Sequence, residues 1–416
     1  MAVLTSSEFL LRREQFGGLL FHKPTALMFF LNADGYELCG AYLAAERAKR
    51  LDLLASTYDL SLAELANMWT VLSEKISARI ADSGNLELSF DEFTSISELP
   101  AAERHLVTPV FFSWELSNVC NFDCNYCATD SSAFNKNHQG FSREEAFRVA
   151  QELVELEVCQ IFLSGGEPFA VKYLGDLVEF LTDANRSVIV ATNATLLTKQ
   201  ELRKFRNCVL QVKFDTLDSG RYEAITGIRG SFERFLNGAR TLADSSLQYY
   251  FQAALTPRDI GSLEGMVDFA LKHNAWKIKF VTVIPTARGK FAEWQFSDSE
   301  ASRLTKELAR LSQNYGKVVD FKGVGVTFNS YKLPNPKEHP ITDCKATRCY
   351  MRLTYNRKFV PCNCAREVTI GPFAVGNMRR IWEGDSIRSL RASSFSCPVR
   401  IPKVVPSASY VFNIIQ

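Results

Sequence analysis

Between residues 110 and 311 the sequence alternates short apolar runs with amphipathic helical patterns, and this alternation constrains the fold most strongly. We predict six strands, at residues 110–116, 160–163, 187–192, 209–214, 249–255 and 278–284. Helical patterns separate them, and the first begins at Ser142 with a capping-box pattern to Glu145. Strands that alternate with helices favour a parallel sheet. The expected fold is α/β, a partial (β/α)6 TIM-like barrel whose chemistry lies at the C-terminal strand ends.

The first 95 residues have a different pattern. Short apolar runs at 10–13, 19–22 and 27–31 are separated by Gly17-Gly18 and Lys23-Pro24, which is typical of a three-stranded meander. Helical patterns follow at residues 32–48 and 61–81. We predict a winged-helix-like α+β domain over residues 1–95, a linker at 94–109 and the barrel domain over 106–320.

After about Pro334 the alternation stops, and cysteine, proline and glycine become frequent. Such a segment suits a small domain that is held together by a metal centre rather than by a large apolar core. We predict this third domain over residues 335–416.

Composition argues against several classes of protein. A formal net charge of +2 without a basic stripe argues against nucleic-acid binding. The chain has no apolar stretch of about 18 residues, so no membrane span is expected. The first 16 residues do not read as a signal peptide, and we expect a cytoplasmic protein.

The chain has 11 cysteines, and in a reducing compartment clustered cysteines are more often metal ligands or catalytic thiols than disulfides. Cys39, Cys159 and Cys208 stand alone in apolar settings and are interpreted as small buried hydrophobes. The remaining eight form two groups, Cys120, Cys124, Cys127 and then Cys344, Cys349, Cys362, Cys364, Cys397.

The first group has the spacing CxxxCxxC and directly follows the first predicted barrel strand. Three thiolates on one tight loop can ligate three irons of a [4Fe–4S] cubane and leave the fourth iron open to another ligand. Tyr126, just before the third cysteine, would pack beside this cluster. The alternative is a zinc site, but zinc sites usually need four ligands, and the nearest further candidates are the isolated His138 and Cys159.

The cysteine motif, followed at the end of the next strand by the run FLSGGEP at residues 162–168, resembles the radical S-adenosylmethionine (SAM) superfamily. The resemblance covers residues 108–311. It implies that SAM chelates the open iron and that its reductive cleavage gives a 5′-deoxyadenosyl radical. It also implies an external electron donor such as flavodoxin or ferredoxin.

The resemblance further implies which residues bind SAM, while it identifies no catalytic residue. The residues carried over are Tyr126, Ser164, Gly165, Gly166, Glu167, Asn193, Lys213, Asp215 and Arg288. Glycines allow close backbone approach, and a carboxylate complements the SAM ammonium group. Two positions depart from the family: Ala194 stands where a glycine is usual, and Lys213 where many relatives have serine. Lys213 is interpreted either as a contact of the SAM carboxylate or as a structural, solvent-facing lysine.

The second cysteine group resembles an auxiliary-cluster domain of the SPASM or shorter twitch type. The matching segments are Cys349 followed by NRKFVPC at 356–362, VGN at 375–377, and Cys397-Pro398. The resemblance implies one iron–sulfur cluster held by Cys349, Cys362 and Cys397, with Cys364 or Cys344 as the fourth ligand. Arg357 replaces a usual glycine, and the cysteine pairs of a second cluster are absent. A single zinc ion and the absence of a metal are the alternatives.

The N-terminal segments FGGLLF (16–21), FFLN (29–32) and GYELC (35–39) resemble a small peptide-recognition domain of enzymes that mature ribosomally made peptides. In such domains a leader segment adds as a strand beside residues 27–31. The combined resemblance implies a peptide maturase that forms a thioether or carbon–carbon cross-link, with epimerisation less favoured. The alternatives are a winged helix without a peptide role, an enzyme of the same superfamily acting on a small molecule, and a non-enzymatic iron–sulfur redox sensor.

Overall fold

The computed structural model describes residues 6–24, 26–48, 106–283, 287–290, 296–320 and 346–392, with scattered residues between 55 and 78. The chain divides into two compact units, one within Met1–Val107 and the other beginning at Thr108. The predicted helix at 61–81 and the predicted linker lie largely outside the described residues. In the part of the chain that the structure describes, no helix is long and apolar enough to cross a membrane.

The N-terminal unit contains the predicted antiparallel meander, with strands β1 (Phe9–Glu14), β2 (Gly17–His22) and β3 (Leu27–Leu31). Helix α1 (Ala33–Ala48) follows the meander. The apolar core of this N-terminal unit contains Phe9, Leu20, Phe29, Leu31, Cys39 and Leu43. The strand–helix packing buries one face of the meander, which a three-stranded sheet needs for stability.

The second unit contains the predicted barrel. Its six parallel strands are neighbours in chain order: β4 (Phe111–Glu115), β5 (Gln160–Ser164), β6 (Ser187–Thr192), β7 (Val209–Lys213), β8 (Gln248–Leu255) and β9 (Ile278–Thr282). The helices between and after them are α2 (Arg143–Glu155), α3 (Leu174–Asp183), α4 (Ser219–Thr226), α5 (Ser231–Ala243), α6 (Leu263–Lys272) and α7 (Asp298–Tyr315). Helix α2 begins at the predicted capping box of Ser142 and Glu145. The predicted α/β barrel fold is therefore confirmed.

The C-terminal elements extend the same sheet on both flanks. Beyond β9 lies the short strand β10 (Val319–Asp320), and on the other side β11 (Tyr350–Leu353) pairs in parallel with β4. The sheet ends with β12 (Lys358–Val360) and β13 (Gly371–Pro372), and the helices α8 (Met378–Trp382) and α9 (Asp385–Ala392) follow. This arrangement brings side chains of the C-terminal elements beside β4. The bounds of the three predicted domains stay predictions.

A buried ion pair network joins β4 to these C-terminal elements. The side chain of Glu115 is 0% exposed, and it accepts a hydrogen bond from Arg352 at 2.9 Å. Arg366 donates to both of its carboxylate oxygens. Burial alone would raise the pKa of Glu115, but the charges of Arg366 and Arg352 outweigh burial and lower it. Glu115 is therefore held as a carboxylate.

We expect Glu115→Gln to destabilise the protein by about 3–5 kcal/mol, because it leaves the buried guanidinium group of Arg352 and the partly buried one of Arg366 without their carboxylate. The matched control is Glu145→Gln, whose partner Arg357 lies 2.8 Å away at a surface where both side chains are over one third exposed. That change should cost at most about 1 kcal/mol. The measurement is urea denaturation of both variants, and equal losses would contradict a special role for the buried network.

Candidate functional site

A cavity of ≈ 250 Å³ opens at the C-terminal ends of β5 to β9. Each of these strands contributes side chains near its end, including Ser164, Thr192, Lys213, Ala254 and Thr282. The barrel topology therefore directs these residues toward one site, as expected for parallel strands. The cavity is also lined by the loop that follows β4 and by two residues of the C-terminal elements.

All three cysteines of the CxxxCxxC motif line this cavity. Their loop is held against the end of α4, because the amide of Asp123 donates to the Thr226 carbonyl at 2.8 Å and Asn125 donates to Ile225 at 3.0 Å. Burial raises the pKa of the Cys124 thiol to about 12. Without a metal the Cys124 thiol stays protonated at neutral pH, so cluster binding would release its proton.

The two glycines after β5 allow this loop to pack closely. Gly165 has a φ of +129°, and a Cβ atom there would lie 2.3 Å from the carbonyl oxygen of Ser117. A Cβ atom on Gly166 would lie 2.0 Å from the carbonyl oxygen of Val119, next to the first cysteine. Both distances are far below van der Waals contact, so only glycine fits at either position.

Glu167 is 1% exposed and connects the end of β5 to the end of β6. Its carboxylate accepts hydrogen bonds from the Thr192 hydroxyl at 2.8 Å, the Asn193 amide at 2.7 Å and the Phe169 amide at 3.1 Å. Burial raises the pKa of Glu167 to about 7, and these hydrogen bonds partly offset that rise. Within the protein, this side chain orders the two strand ends that line the cavity. Its contact with a SAM ammonium group stays a prediction.

Lys213 ends β7 and pairs with Asp215. Its ammonium group also lies 5.0 Å from the ring centroid of Tyr222 and 5.6 Å from that of Tyr126. The Tyr126 hydroxyl donates to Asp215 at 2.8 Å. Burial would lower the pKa of Lys213, but the carboxylate of Asp215 outweighs burial and raises it. The ammonium is therefore charged and already has a carboxylate partner.

The remaining predicted SAM contacts differ in their placement. Ser164 and Asn193 line the cavity, and the Asn193 side chain donates to Asn121 in the cysteine loop at 2.7 Å. Arg288 is not among the described residues that line the cavity. It pairs with Asp123 at 2.7 Å and with Asp130 at 3.1 Å, and it donates to the Ser131 carbonyl. Arg288 therefore supports the cysteine loop from outside the cavity.

Two positions where the sequence departs from its resemblance have left-handed backbone. Ala194 has a φ of +62° and Arg357 a φ of +61°. Glycine is the residue that adopts this region without steric cost, and the resemblance has glycine at both positions. The backbone conformation is therefore the one that glycine favours, although the side chains differ.

Several residues of the cavity wall were not predicted from the sequence. Gln211 and Gln252 lie on the inner face of β7 and β8, and Arg352 and Asn363 come from the C-terminal elements. The sequence carries a signal for Gln211 alone, because it alternates with Lys213 in an otherwise apolar strand and so shares its face of the sheet. The other wall residues gave no comparable signal, because their placement depends on strand pairing over long sequence separations.

The predicted auxiliary-cluster ligands are described only in part. Cys349 and Cys362 are both buried. Cys364 lies on the 3-10 helix Asn363–Ala365, and Cys344 and Cys397 lie outside the described residues. The isolated Cys39, Cys159 and Cys208 are buried, as predicted.

Comparison with known proteins identifies the central part of the chain. The sequence model described as the radical SAM superfamily matches residues 114–270, which include the cysteine loop and the strand ends around the cavity. The chain contains a radical SAM domain. Its relatives include the AdoMet-dependent heme synthase of Methanosarcina barkeri, which is 27% identical over 44% of this chain and 52% of the synthase.

A second relative is the PqqA peptide cyclase of Bradyrhizobium diazoefficiens, which is 24% identical over 42% of this chain and 47% of the cyclase. The chain thus matches about half the length of these curated relatives. Its fold is similar to that of Streptococcus suis SuiB bound to the precursor peptide SuiA. That likeness has a TM-score of 0.64 at 15% identity and covers 93% of this chain and 90% of SuiB.

The donor set of the radical SAM domain fits an iron–sulfur cluster, because three thiols line one cavity beside glycines that pack closely against the cysteine loop. Among the described residues, no three His, Cys, Asp or Glu side chains are grouped so that they could hold a metal ion. A cubane is larger than a single ion, and its cysteine ligands bind different iron atoms. The thiols therefore fit the cluster by chemistry and by the cavity they share.

Proposed function

We propose that this protein is a radical SAM enzyme that modifies a ribosomally made precursor peptide. The observation that carries the proposal is the common cavity of Cys120, Cys124 and Cys127 with the Gly165-Gly166-Glu167 segment. When bound, the [4Fe–4S] cluster and SAM supply a 5′-deoxyadenosyl radical that abstracts a hydrogen atom from carbon. The protein binds and orients the reactants and keeps water away from the radical.

The residues of the site have distinct roles in this proposal. The three cysteines hold the cluster, and Gly165 and Gly166 let the backbone approach both the cysteine loop and SAM. Glu167 fixes the ends of β5 and β6 through its hydrogen bonds to Thr192 and Asn193. The remaining proposed SAM contacts are Tyr126, Ser164, Asn193, Lys213, Asp215 and Arg288. The last of these also supports the cysteine loop through its pair with Asp123.

The peptide substrate is supported by the N-terminal meander. Within the described residues, β3 pairs with β2 along one edge, and its other edge lies at the end of the sheet. A leader segment that added to this edge would gain backbone hydrogen bonds, with side-chain pockets setting its register. The fold likeness to SuiB, whose structure contains a precursor peptide, supports the same substrate class.

We further propose that the product is a thioether or carbon–carbon cross-link. Such a reaction releases a second electron, which an auxiliary cluster held by Cys349, Cys362, Cys397 and either Cys364 or Cys344 would accept. Reduction of the first cluster would come from flavodoxin or ferredoxin in the cytoplasm. The domains that serve these steps are residues 1–95 for the leader, 106–320 for the radical reaction and 335–416 for the auxiliary cluster.

A small-molecule substrate is the second candidate. It is favoured by the names of two relatives, the heme synthase and the GTP 3′,8-cyclase of Pectobacterium atrosepticum. The two candidates differ in what they require of the N-terminal unit.

The test compares the full chain with a variant that lacks residues 1–93. The probes are peptides encoded by short reading frames beside the gene, and mass spectrometry follows the loss of two hydrogen atoms. We expect the full chain to modify one of these peptides and the truncated variant to lose that reaction. Both proteins should still form 5′-deoxyadenosine from SAM. Equal peptide modification by the two proteins, or turnover of GTP or a tetrapyrrole instead, would contradict the peptide proposal.

A further inference from the structure

Two of the described residues that line the cavity are basic, Lys213 and Arg352. Lys213 pairs with Asp215, so its charge is balanced by one carboxylate. The positive charge of Arg352 is not balanced in the same way, so the cavity wall at β11 differs in charge from the wall at β7.

Arg352 lies on β11, which pairs in parallel with β4, and its backbone is in register with Ser113. Its side chain is 3% exposed and donates to Glu115 at 2.9 Å. Arg366 pairs with the same carboxylate. Two guanidinium groups therefore share one negative charge, and this part of the wall carries one positive charge in excess.

Within the part of the chain that the structure describes, the Nε atom of Arg352 is buried and has no hydrogen-bond partner, although the Tyr350 hydroxyl interacts with the same guanidinium group. A buried, charged donor without a partner is unfavourable, and such atoms in a cavity wall commonly acquire a partner when a ligand binds. Glu167 is the acidic residue among the described residues of the wall, and both of its oxygens already accept hydrogen bonds from β6 and from Phe169. Among the described wall residues, no free carboxylate is therefore left for Arg352.

We propose that Arg352 binds a carboxylate group of a molecule held in this cavity. This inference rests on the proposed function, because that function supplies two sources of the carboxylate: the methionyl group of SAM and an acidic group of the substrate. A carboxylate would balance the excess charge and accept the Nε–H hydrogen bond at once. A neutral carbonyl group would satisfy the hydrogen bond but leave the charge in place.

The first experiment measures binding of SAM and of decarboxylated SAM to the reconstituted protein by equilibrium dialysis. If SAM is the source, Arg352→Gln should weaken SAM binding about 10- to 100-fold, the usual range for a charge-assisted hydrogen bond. Binding of decarboxylated SAM should change little. Arg352→Lys, which keeps the charge and loses the Nε donor, should lie between wild type and Arg352→Gln.

If Arg352→Gln leaves SAM binding unchanged, the substrate is the source. The probes are then N-acetylglutamate and its neutral analogue N-acetylglutamine, added with SAM present while the melting temperature is followed. The acid should stabilise wild type more than the amide does, and Arg352→Gln should remove that difference. The matched control is Arg357→Gln, which changes an exposed arginine and should preserve every preference.

Two outcomes separate this inference from the proposed function. Wild-type protein that binds no SAM would refute the proposed function, and the N-acetylglutamate comparison would then decide the role of Arg352. The inference is wrong if Arg352→Gln keeps the wild-type preference in both comparisons. These comparisons are SAM against decarboxylated SAM and N-acetylglutamate against N-acetylglutamine. Circular dichroism and iron content establish that each variant is folded, which is expected because Glu115 keeps its pair with Arg366.

Discussion

Cys124→Ala is expected to lose the cubane and to form no 5′-deoxyadenosine above background. Cys124 is the middle cysteine of the motif and lines the cavity with the other two, so its removal leaves two thiols for a cluster that needs three. Changes to residues that merely support metal ligands already cost about 10- to 100-fold, so loss of a ligand should exceed about 100-fold. Iron content, visible absorption and product formation measure the effect.

The matched control is Cys208→Ala. Cys208 is 3% exposed and its thiol donates to the Phe205 carbonyl, so this change removes a buried thiol far from the cluster loop in sequence. It should reduce stability and leave the iron content unchanged. A Cys124→Ala protein that retains a full cluster and activity would show that the motif does not bind the cluster.

Gly166→Ala is the second change with a large expected effect. The added Cβ atom would lie 2.0 Å from the Val119 carbonyl oxygen and 2.5 Å from its carbonyl carbon, so the backbone before Cys120 must move. Overpacking of this kind costs about 1–3 kcal/mol, and here the displaced backbone carries the cluster ligands. We expect reduced stability in urea together with loss of SAM binding in the reconstituted protein.

Gly261→Ala is the control for this substitution, since nothing lies within 4 Å of its added Cβ atom. Its stability should stay within about 0.5 kcal/mol of wild type, as for ordinary surface changes. If Gly166→Ala has the stability and SAM affinity of the control, the close packing of the glycine segment against the cysteine loop does not matter for the site.

The barrel could be predicted because each strand is a compact apolar run between clear helical patterns. The predicted strand at residues 187–192 coincides with β6, and the one at 160–163 is a single residue shorter than β5. The prediction at 278–284 extends past β9, which ends at Thr282. Apolar Val283 and Ile284 continue the run, and hydrophobicity alone cannot distinguish the last strand residue from the loop that follows it.

The charged part of the cavity wall could not be predicted from the sequence. Glu115 and Arg352 are 237 residues apart, and they meet because β11 pairs with β4. A charged residue in a short strand reads as solvent-facing until its partner strand is known. Likewise, the pairing of Lys213 with Asp215 follows from the turn after β7 and had no signal in the resemblance, because many relatives have serine at position 213.

The most direct test of the central claim is the formation of 5′-deoxyadenosine by the full chain. After anaerobic iron–sulfur reconstitution, the protein is incubated with SAM and a reductant, and the product is measured by mass spectrometry. Our account predicts 5′-deoxyadenosine from wild type and none from a variant with alanine at positions 120, 124 and 127. A protein with a confirmed cluster that neither binds SAM nor forms this product would contradict the assignment.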